Sequence, residues 1–517
     1  MMTTRMLRIF IATAGLFLFL SVLHLSFGYE YKFIYVLSAA ALFTFCLSFS
    51  RVLYVLLLTI YLLLGLIYGA VGINYGYPDV NAVGSLMYTD NGESLEYIAG
   101  LPFKTYLYLA GLLVSAGCAL LMKPPKKRHQ RIVLFTVFFI TAFWSSSKDY
   151  IQGKSEGFVS VFKSGLPEIR FFRDSYESYV QIRKDNLRYA KVIETSDHWD
   201  PQVTETGYDT YILVIGESVR KDFMHAFGFE LHPNTPWMSS RNGLFFDNYI
   251  SASGSTTLSL TNALAVREGK VTNLSNNLIA LANKAGFHTY WISNQHMKGI
   301  YDSPVGIMGK KAGFYHFLAP NRSDKGGPDE MLLPFVRDAL AEKNGKKLIV
   351  VHLIGSHPQP CGRLTENFDK FIGSRNISCY IKSIENTDKL LSDIAAMAGQ
   401  EHQRWTMAYF SDHGLLFTDK GTENTNLTHG DSMKQNFQVP FFITAFDAQS
   451  QNRITHFRSG LSMLPLLSQW MGIKEAKLDN HCDWLRDTEC AGQKSVVNFK
   501  NELKSFDSLP EDNLVLP

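Results

Sequence analysis

The sequence predicts an α-helical transmembrane domain of five spans, followed by an α/β domain with a mainly parallel sheet flanked by helices. Two observations support this fold class. Long apolar runs fill roughly the first 150 residues, whereas the rest has the composition of a soluble globular protein. From Tyr211 onward, short apolar runs alternate with helical patterns, which is typical of parallel sheets.

Five apolar stretches have about the length needed to cross the ~30 Å hydrocarbon core of a bilayer. Soluble helices are rarely apolar all round over such lengths, so buried core helices are a weaker interpretation. Four spans follow the first, which favours an uncleaved anchor over a signal peptide. The stretches are Leu7–Phe27, Phe33–Ser50, Val52–Val71, Tyr106–Met122 and Ile132–Ser146.

Basic residues predict the orientation of these spans. Arg5 and Arg8 precede the first span, Arg51 lies between the second and third, and five Lys and Arg residues lie within 123–131. With five spans these groups share one side, which should be cytoplasmic. Everything after Ser147 then faces outward, in an oxidising compartment.

The cysteines fit an exported domain, and the charge balance bears only on a nucleic-acid partner. With 50 basic and 47 acidic residues, the net charge of +3 gives no support for a nucleic-acid partner. Four cysteines of the exported part fall in two close pairs, which predicts the disulfides Cys361–Cys379 and Cys482–Cys490. A cysteine-only metal site is the alternative, but neither pair has C-x-x-C spacing.

The exported part begins with a bridging segment, Lys148–Thr210. Apolar residues repeat there at helical spacing between Ile169 and Leu187, with basic residues between them. This amphipathic helix is expected on the membrane surface or against the globular domain.

The predicted strands that follow are Tyr211–Ile215, Leu244–Ile250, His288–Ile292, Leu348–Leu353, Trp405–Phe410 and Val439–Thr444. The predicted helices are Thr257–Val266, Asn277–Ala285, Met331–Glu342, Ile381–Met397 and Leu461–Met471.

Residues of catalytic type follow several predicted strands, where open α/β sheets bind ligands. Singly, each has a common structural explanation as a turn, cap or core residue; together they predict a site. Carboxylates and imidazoles suit zinc, and a hydroxyl at a helix N-terminus suits attack on a phosphate ester. The candidates are Glu217; the hydroxyls of Ser255, Thr256 and Thr257; Asn294 and Lys298 in WISNQHMKG; His352 and His357 in HLIGSHP; and Asp412 and His413 in YFSDHG.

This order of motifs resembles the alkaline phosphatase/sulfatase superfamily and, more narrowly, bacterial membrane-bound phosphoethanolamine transferases. The shared strings are IGES, NTP at Asn234–Pro236, the Gly-to-Thr segment, HLIGSH, CYIKSIENTDKLL and YFSDHG. The resemblance covers the whole chain. It implies an alkaline phosphatase/sulfatase-like fold, an inner-membrane location and a periplasmic catalytic domain.

The resemblance also implies a mechanism and roles for residues. A threonine would take phosphoethanolamine from phosphatidylethanolamine, release diacylglycerol and pass the group to an acceptor. The implied Zn2+ ligands are Glu217, the nucleophilic threonine, Asp412 and His413. His357 and His429, the latter in LTHG, would form a second-metal or acceptor-phosphate site. Asn294, Lys298 and His352 would bind substrate.

Departures from the family pattern bear on the nucleophile and the acceptor. Ser253 stands where the family often has a cysteine, and Thr256 and Thr257 compete as nucleophile, with Thr256 preferred because Gly-Ser-Thr resembles a subgroup that modifies periplasmic glucans. Leu415 replaces the glutamate usual in lipid A-modifying members. The favoured acceptor is therefore an osmoregulated periplasmic glucan, with lipid A or core oligosaccharide as runner-up.

Other functions remain as alternatives. A phosphatase or phosphodiesterase of the same superfamily, glycerol phosphate transfer, and a non-enzymatic membrane sensor are all compatible with the fold. A sulfatase is disfavoured, because no C/S-x-P-x-R string stands at Ser253–Leu258. We expect a monomer. The expected domains are 1–147 (transmembrane), 148–210 (bridging helices and linker), 211–498 (catalytic) and 499–517 (a loose C-terminal tail).

Overall fold

The chain divides into two compact units, Met1–Leu86 with Leu101–Arg183, and Met87–Gly100 with Lys184–Pro517. They are seen in a computed structural model, and each is described by itself. The structure describes residues 4–88, 94–95, 97–98, 100–151, 164–192, 196–297, 303–320, 326–343, 345–364, 371–401, 403–478, 481–490 and 494–515.

The first unit is helical, and each of the five predicted spans overlaps one of its helices, although three spans extend one to three residues beyond the helix end. Two of them, α1 and α3, are long and apolar enough to cross a membrane, while α2 and α5 are apolar helices of 17 residues, about 25 Å long. The count of five spans stays a prediction. The helices are α1 (Thr4–Ser26), α2 (Phe33–Phe49), α3 (Arg51–Tyr75), α4 (Val80–Tyr88), α5 (Phe103–Ala119), α6 (Arg128–Ile151) and α7 (Pro167–Val192).

Helix α7 is the predicted amphipathic helix, and its first half packs on the other helices of this unit. The Phe171 ring stacks on Phe27 with centroids 4.1 Å apart. Glu168 and His24 form a buried pair at 2.9 Å. The first half of α7 therefore packs within this unit. Most of the predicted apolar face is nevertheless exposed, and its contact with a membrane surface or with the globular domain stays a prediction. The exposed residues of that face are Ile169, Phe172, Tyr176, Tyr179 and Leu187.

The second unit is an α/β domain. Its helices are α8 (Pro236–Ser240), α9 (Thr256–Leu264), α10 (Leu278–Lys284), α11 (Pro304–Gly309), α12 (Leu333–Ala341), α13 (Arg375–Gln400) and α14 (Met463–Trp470). Its strands are β1 (Gln202–Val203), β2 (Thr210–Gly216), β3 (Gly243–Phe246), β4 (Tyr249–Ile250), β5 (Ala265–Glu268), β6 (Val271–Asn277), β7 (His288–Ser293), β8 (Phe314–Phe317), β9 (Lys347–His352), β10 (Trp405–Ser411), β11 (Leu416–Thr418), β12 (Asn426–Thr428), β13 (Phe441–Ala445), β14 (Gln451–Ile454), β15 (Arg458–Ser459), β16 (Ile473–Lys474), β17 (Ser495–Val497) and β18 (Leu503–Ser505).

The main sheet has eight strands in the order β14-β3-β13-β10-β2-β9-β7-β8. All neighbours from β10 to β8 pair in parallel, and β13 is antiparallel to both β10 and β3. The predicted mainly parallel sheet is confirmed. Consequently the carboxyl ends of β10, β2, β9 and β7 meet at one edge, where loops from distant parts of the sequence converge.

Strand β2 explains why this sheet carries no polar alternation. Tyr211, Leu213 and Ile215 enter one hydrophobic core, whereas Ile212 and Val214 enter another on the opposite face. Both faces are covered, so every residue of β2 is buried.

Three local expectations had different outcomes. Both predicted disulfides, Cys361–Cys379 and Cys482–Cys490, are present. The predicted strand Leu244–Ile250 was wrong as one element, because β3 joins the main sheet while β4 pairs with β15. The expected loose tail was also wrong, because β17 and β18 form a hairpin and the later residue Asp512 is buried.

Candidate metal and nucleophile site

Glu217 stands directly after β2, at the edge where the parallel strands end. Its side chain is fully buried. The next residue, Ser218, has φ of 62°, a left-handed conformation that is uncommon outside glycine. Ser218 Oγ donates to Glu217 Oε1 at 2.5 Å. The strained turn therefore fixes the carboxylate against the end of the strand.

Asp412 and His413 follow β10, the parallel neighbour of β2. Asp412 Oδ1 accepts the backbone N–H groups of Ser218 at 3.0 Å and of His413 at 2.7 Å. His413 Nδ1 lies 2.9 Å from the Gly414 carbonyl oxygen, which favours a proton on Nδ1 and leaves Nε2 as the basic nitrogen. Both side chains are fully buried.

Thr256 is the first residue of α9, and its hydroxyl reaches this pair of loops. Its Oγ1 donates to Glu217 Oε2 at 3.0 Å and lies 3.4 Å from His413 Nε2. Thr257 is exposed, and within the described residues its hydroxyl makes no hydrogen bond to this pair of loops. Its carbonyl accepts from Thr261 Oγ1. The geometry thus brings Thr256, and not Thr257, to the cluster.

The loop before Thr256 is shaped by close packing. A Cβ on Gly254 would lie 2.1 Å from the carbonyl oxygen of Gly430, so only glycine fits this approach. Ser253 donates its hydroxyl to Val497 O at 2.7 Å. The C-terminal hairpin therefore braces the threonine loop through a hydrogen bond.

His413 Nε2 is the centre of the cluster. It lies 3.3 Å from Glu217 Oε1 and 3.6 Å from Asp412 Oδ2, in addition to the Thr256 hydroxyl. Glu217, His413 and His429 each offer a ligand atom, and these atoms all lie within 4.8 Å of one another. The sequence grouped His429 with His357 alone, whereas the structure places His429 beside His357 and also beside Glu217 and His413.

The charges of the cluster are unbalanced. Burial alone raises the pKa of Glu217, but the hydrogen bond and charge of His413 outweigh it and hold the pKa well below its usual range. Burial, followed by the Glu217 charge, raises the pKa of Asp412 to about 8. Burial lowers the pKa of His413, yet the charges of Asp412 and Glu217 raise it to about 9. Two buried carboxylates, Glu217 and Asp412, therefore share one cationic neighbour, His413.

A divalent cation fits this donor set. Asp412 Oδ2 is buried and has no hydrogen-bond partner in the part of the chain that the structure describes. A metal beside it would neutralise both carboxylates and satisfy that oxygen. Carboxylate oxygens, an imidazole nitrogen and a hydroxyl are ligands that zinc accepts in tetrahedral sites.

The other predicted histidines lie at different depths. The His357 and His429 rings are 5.3 Å apart, and His429 is 5.0 Å from the His413 ring. Burial lowers the pKa of His357 to about 4. His352 is a buried residue at the end of β9, and its Nδ1 lies 3.1 Å from Ser293 Oγ. His357 and His429 thus adjoin the cluster, whereas His352 packs beneath it in the core.

The loop after β7 departs most from expectation. Asn294 is buried, and its amide donates to Gly327 O and Asp329 Oδ1, both at 2.7 Å. Lys298 lies outside the described residues. Gln295, which the sequence reasoning missed, donates from Nε2 to Glu217 Oε2 at 2.7 Å. Its place directly after a strand of the predicted sheet was the available signal.

Known proteins share this architecture. The Sulfatase family matches residues 209–473. Phosphoethanolamine transferase OpgE of Escherichia coli (strain K12) is 34% identical over 445 residues, which are 84% of this chain and 83% of that protein. The zinc complex of the C-terminal periplasmic domain of EptC from Escherichia coli has a TM-score of 0.53 at 21% identity, covering 61% of this chain and 98% of that one.

A solved structure also covers the helical unit. The integral membrane protein lipooligosaccharide phosphoethanolamine transferase A (EptA) from Neisseria meningitidis has a TM-score of 0.57 at 16% identity. It covers 92% of this chain and 97% of its own. At these identities, the two solved structures share their fold with this chain.

Proposed function

Since the chain belongs to the sulfatase family and, within it, to the phosphoethanolamine transferases, we propose that it transfers phosphoethanolamine from phosphatidylethanolamine to a periplasmic acceptor through a covalent intermediate on Thr256. One observation carries this proposal. The Thr256 hydroxyl lies at the N-terminus of α9, within 3.0 Å of Glu217 Oε2 and 3.4 Å of His413 Nε2. A nucleophile there has a charged partner beside it, together with the first backbone N–H groups of α9, which have no partners within the helix.

The proposed first step forms the bond between Thr256 Oγ1 and phosphorus. The bond from phosphorus to the glycerol oxygen breaks, and diacylglycerol leaves after taking up a proton at that oxygen. The Thr256 hydroxyl gives up its proton to solvent, which also supplies the proton to the glycerol oxygen. The hydrogen bond to Glu217 orients the hydroxyl, and Glu217 stays a carboxylate because its pKa is held well below the usual range. The first N–H groups of α9 have no partners within the helix, so they can donate to the phosphoryl oxygens.

We propose that Glu217, Asp412, His413 and Thr256 hold one zinc ion. Zinc bound there would lower the pKa of the threonine hydroxyl and polarise a phosphoryl oxygen. The protein contributes the orientation of its own ligands, because Asp412 Oδ1 is fixed by two backbone N–H groups and His413 Nδ1 by the Gly414 carbonyl. The proximity of His429 supports a further ligand or a second site shared with His357.

The proposed second step reverses the roles at phosphorus. An acceptor hydroxyl attacks, its proton passes to a neighbouring base, and the bond from phosphorus to Thr256 Oγ1 breaks as that oxygen is reprotonated. His357 and His429 adjoin the cluster and are suited to receive the acceptor proton or to bind its phosphate. Asn294, Lys298 and His352 stay predicted substrate contacts, although the amide of Asn294 is engaged elsewhere.

The proposed acceptor is an osmoregulated periplasmic glucan. The Gly254-Ser255-Thr256 segment and Leu415 after the SDHG string support it over lipid A or core oligosaccharide. The apolar helices of the first unit support a multi-pass protein of the bacterial inner membrane. The basic loops between the predicted spans support a catalytic domain in the periplasm.

The test compares cells that lack the protein with cells that express wild type, Thr256→Ala or Thr257→Ala. Mass spectrometry of periplasmic glucans and lipid A should find phosphoethanolamine on glucans with wild type and Thr257→Ala, but not with Thr256→Ala. The exposed Thr257 is the matched control. If glucans and lipid A are the same in all four strains, transfer to either acceptor is wrong. If only free phosphoethanolamine increases, the protein is a phosphodiesterase.

A further inference from the structure

Two neighbouring amides after β7 have opposite roles in the structure. Asn294 is 2% exposed and directs its amide into its own loop, toward Gly327 and Asp329. Gln295 is partly exposed and directs its amide toward the metal cluster. Its Nε2 donates to Glu217 Oε2 at 2.7 Å and to Leu353 O at 2.9 Å. The residue nearest the cluster is therefore the one that the family pattern did not mark.

The chemistry of its partners fixes the orientation of the Gln295 amide. Both partners, a carboxylate and a backbone carbonyl, are acceptors only. A flipped amide would place its oxygen against two other oxygens, so Nε2 must face them. The backbone is held as well, because Gln295 N donates to Ser293 Oγ at 3.1 Å. Leu353 N in turn donates to Ile215 O at 3.0 Å, which ties this bridge to β2.

One of the two donors to Glu217 Oε2 is lost during the proposed reaction. In this structure, Oε2 accepts from both Thr256 and Gln295. Once Thr256 carries phosphoethanolamine, its oxygen has no proton left to donate. Gln295 is then the side chain that continues to hold Oε2, among the donors seen in the described residues. The carboxylate keeps one orientation through both displacements only if this amide remains.

We propose that Gln295 is a positioning residue that holds Glu217 as a metal ligand. The amide locks the carboxylate to the carbonyl of Leu353, so that Oε1 keeps facing His413 and the ligand set is formed before zinc arrives. Groups that orient metal ligands in this way are typically worth 10–100-fold in metal affinity or activity. This inference rests on the zinc site of the proposed function.

The test measures zinc binding and not only activity. The full chain is purified in detergent, stripped with a chelator, and titrated with zinc against a chromophoric competitor. Gln295→Leu should raise the Kd for zinc by about 10–100-fold, while the melting temperature of the zinc-free protein stays within about 2 °C of wild type. Gln449→Leu is the matched control and should change neither quantity. Gln449 is exposed, and its amide donates to the Asp447 carbonyl and to no other group among the described residues.

Further variants distinguish a failure of the positioning role of Gln295 from a failure of the proposed zinc site. Gln295→Asn keeps the amide but is one methylene shorter, so it should also weaken zinc binding, and it decides the matter if the leucine variant does not fold. If wild type binds zinc, Glu217→Gln loses it, and both Gln295 variants bind as wild type does, the positioning role is wrong. If wild type binds no zinc, or Glu217→Gln binds it equally well, the zinc site of the proposed function is wrong.

Discussion

The loops after β2 and β10 are built differently from the loop after β7, although all three meet at one edge of the sheet. In the first two, every residue from Gly216 to Arg220 and from Asp412 to Leu415 is buried. Hydrogen bonds to backbone N–H groups of Ser218 and Val219 lock these two loops together. In the third, Gln295, His296 and Met297 are partly exposed. We call the loops after β2 and β10 the metal side and the loop after β7 the amide side. The metal side is held by hydrogen bonds from backbone N–H groups, whereas the amide side is held by the side-chain amides of Asn294 and Gln295.

This difference predicts that the two sides fail in different ways. A substitution on the metal side should remove metal and activity together, because the scaffold cannot shift to compensate. A substitution on the amide side should change either metal affinity or stability, but not both. Gln295 holds the metal-site carboxylate Glu217, whereas Asn294 holds Asp329. The arrangement also agrees with a general need: the ligand geometry must be rigid, whereas a substrate has to enter and leave.

The largest effect is expected for Asp412→Asn. Asparagine keeps an oxygen for the N–H groups of Ser218 and His413, but it replaces the buried, unpaired Oδ2 with a donor. Zinc should not be retained after dialysis, and transferase activity should fall by about 10³-fold or more. Zinc analysis and thermal melting of the zinc-free protein are the measurements.

The exposed carboxylate Asp447 provides the control, since Asp447→Asn should retain zinc and activity. The zinc-free Asp412→Asn protein should be at least as stable as wild type, because the substitution removes a buried charge whose pKa is raised. Retention of zinc by Asp412→Asn would contradict the assigned ligand set.

A smaller effect is expected for Asp512→Asn, at the C-terminal segment that braces the metal side. Asp512 Oδ2 accepts from Arg220 Nη1 at 2.8 Å and from Phe417 N at 2.9 Å, and thereby links the two ligand loops. Arg220 is fully buried, and loss of this charge leaves Asp222 as its one ion-pair partner among the described residues. The free energy of unfolding should fall by about 3 kcal/mol, at the low end for a broken buried pair.

Denaturant unfolding of the full chain in detergent measures this change. Asp507→Asn, at an exposed carboxylate of the same C-terminal segment, should lower the free energy of unfolding by less than about 0.5 kcal/mol. Equal values for the two variants would show that the segment does not brace the site.

The sequence predicted that the loops after β2 and β10 come together, but it did not predict the contacts of the loop after β7, and the difference has a physical reason. Glu217, Asp412 and His413 directly follow buried parallel strands, and the sheet alone brings such positions together. The Arg220–Asp512 pair joins residues almost 300 positions apart, and no local pattern marks it. Gln295 was overlooked because polar residues after a strand are common, and only the direction of its side chain distinguishes it from Asn294.

The smallest effect is expected for Asn294→Ala, which tests the amide side directly. The Asn294 amide supports Asp329, whose carboxylate also accepts the N–H groups of Ile354 and Gly355 at 2.9 Å each. Two donors remain after the substitution, so the free energy of unfolding should fall by only about 1–2 kcal/mol. Zinc affinity should stay as in wild type, the reverse of the result expected for Gln295→Leu. If Asn294→Ala instead raises the KM for the lipid donor at unchanged stability, its amide contacts the phosphoethanolamine group, and the family pattern predicted its role better than the geometry does.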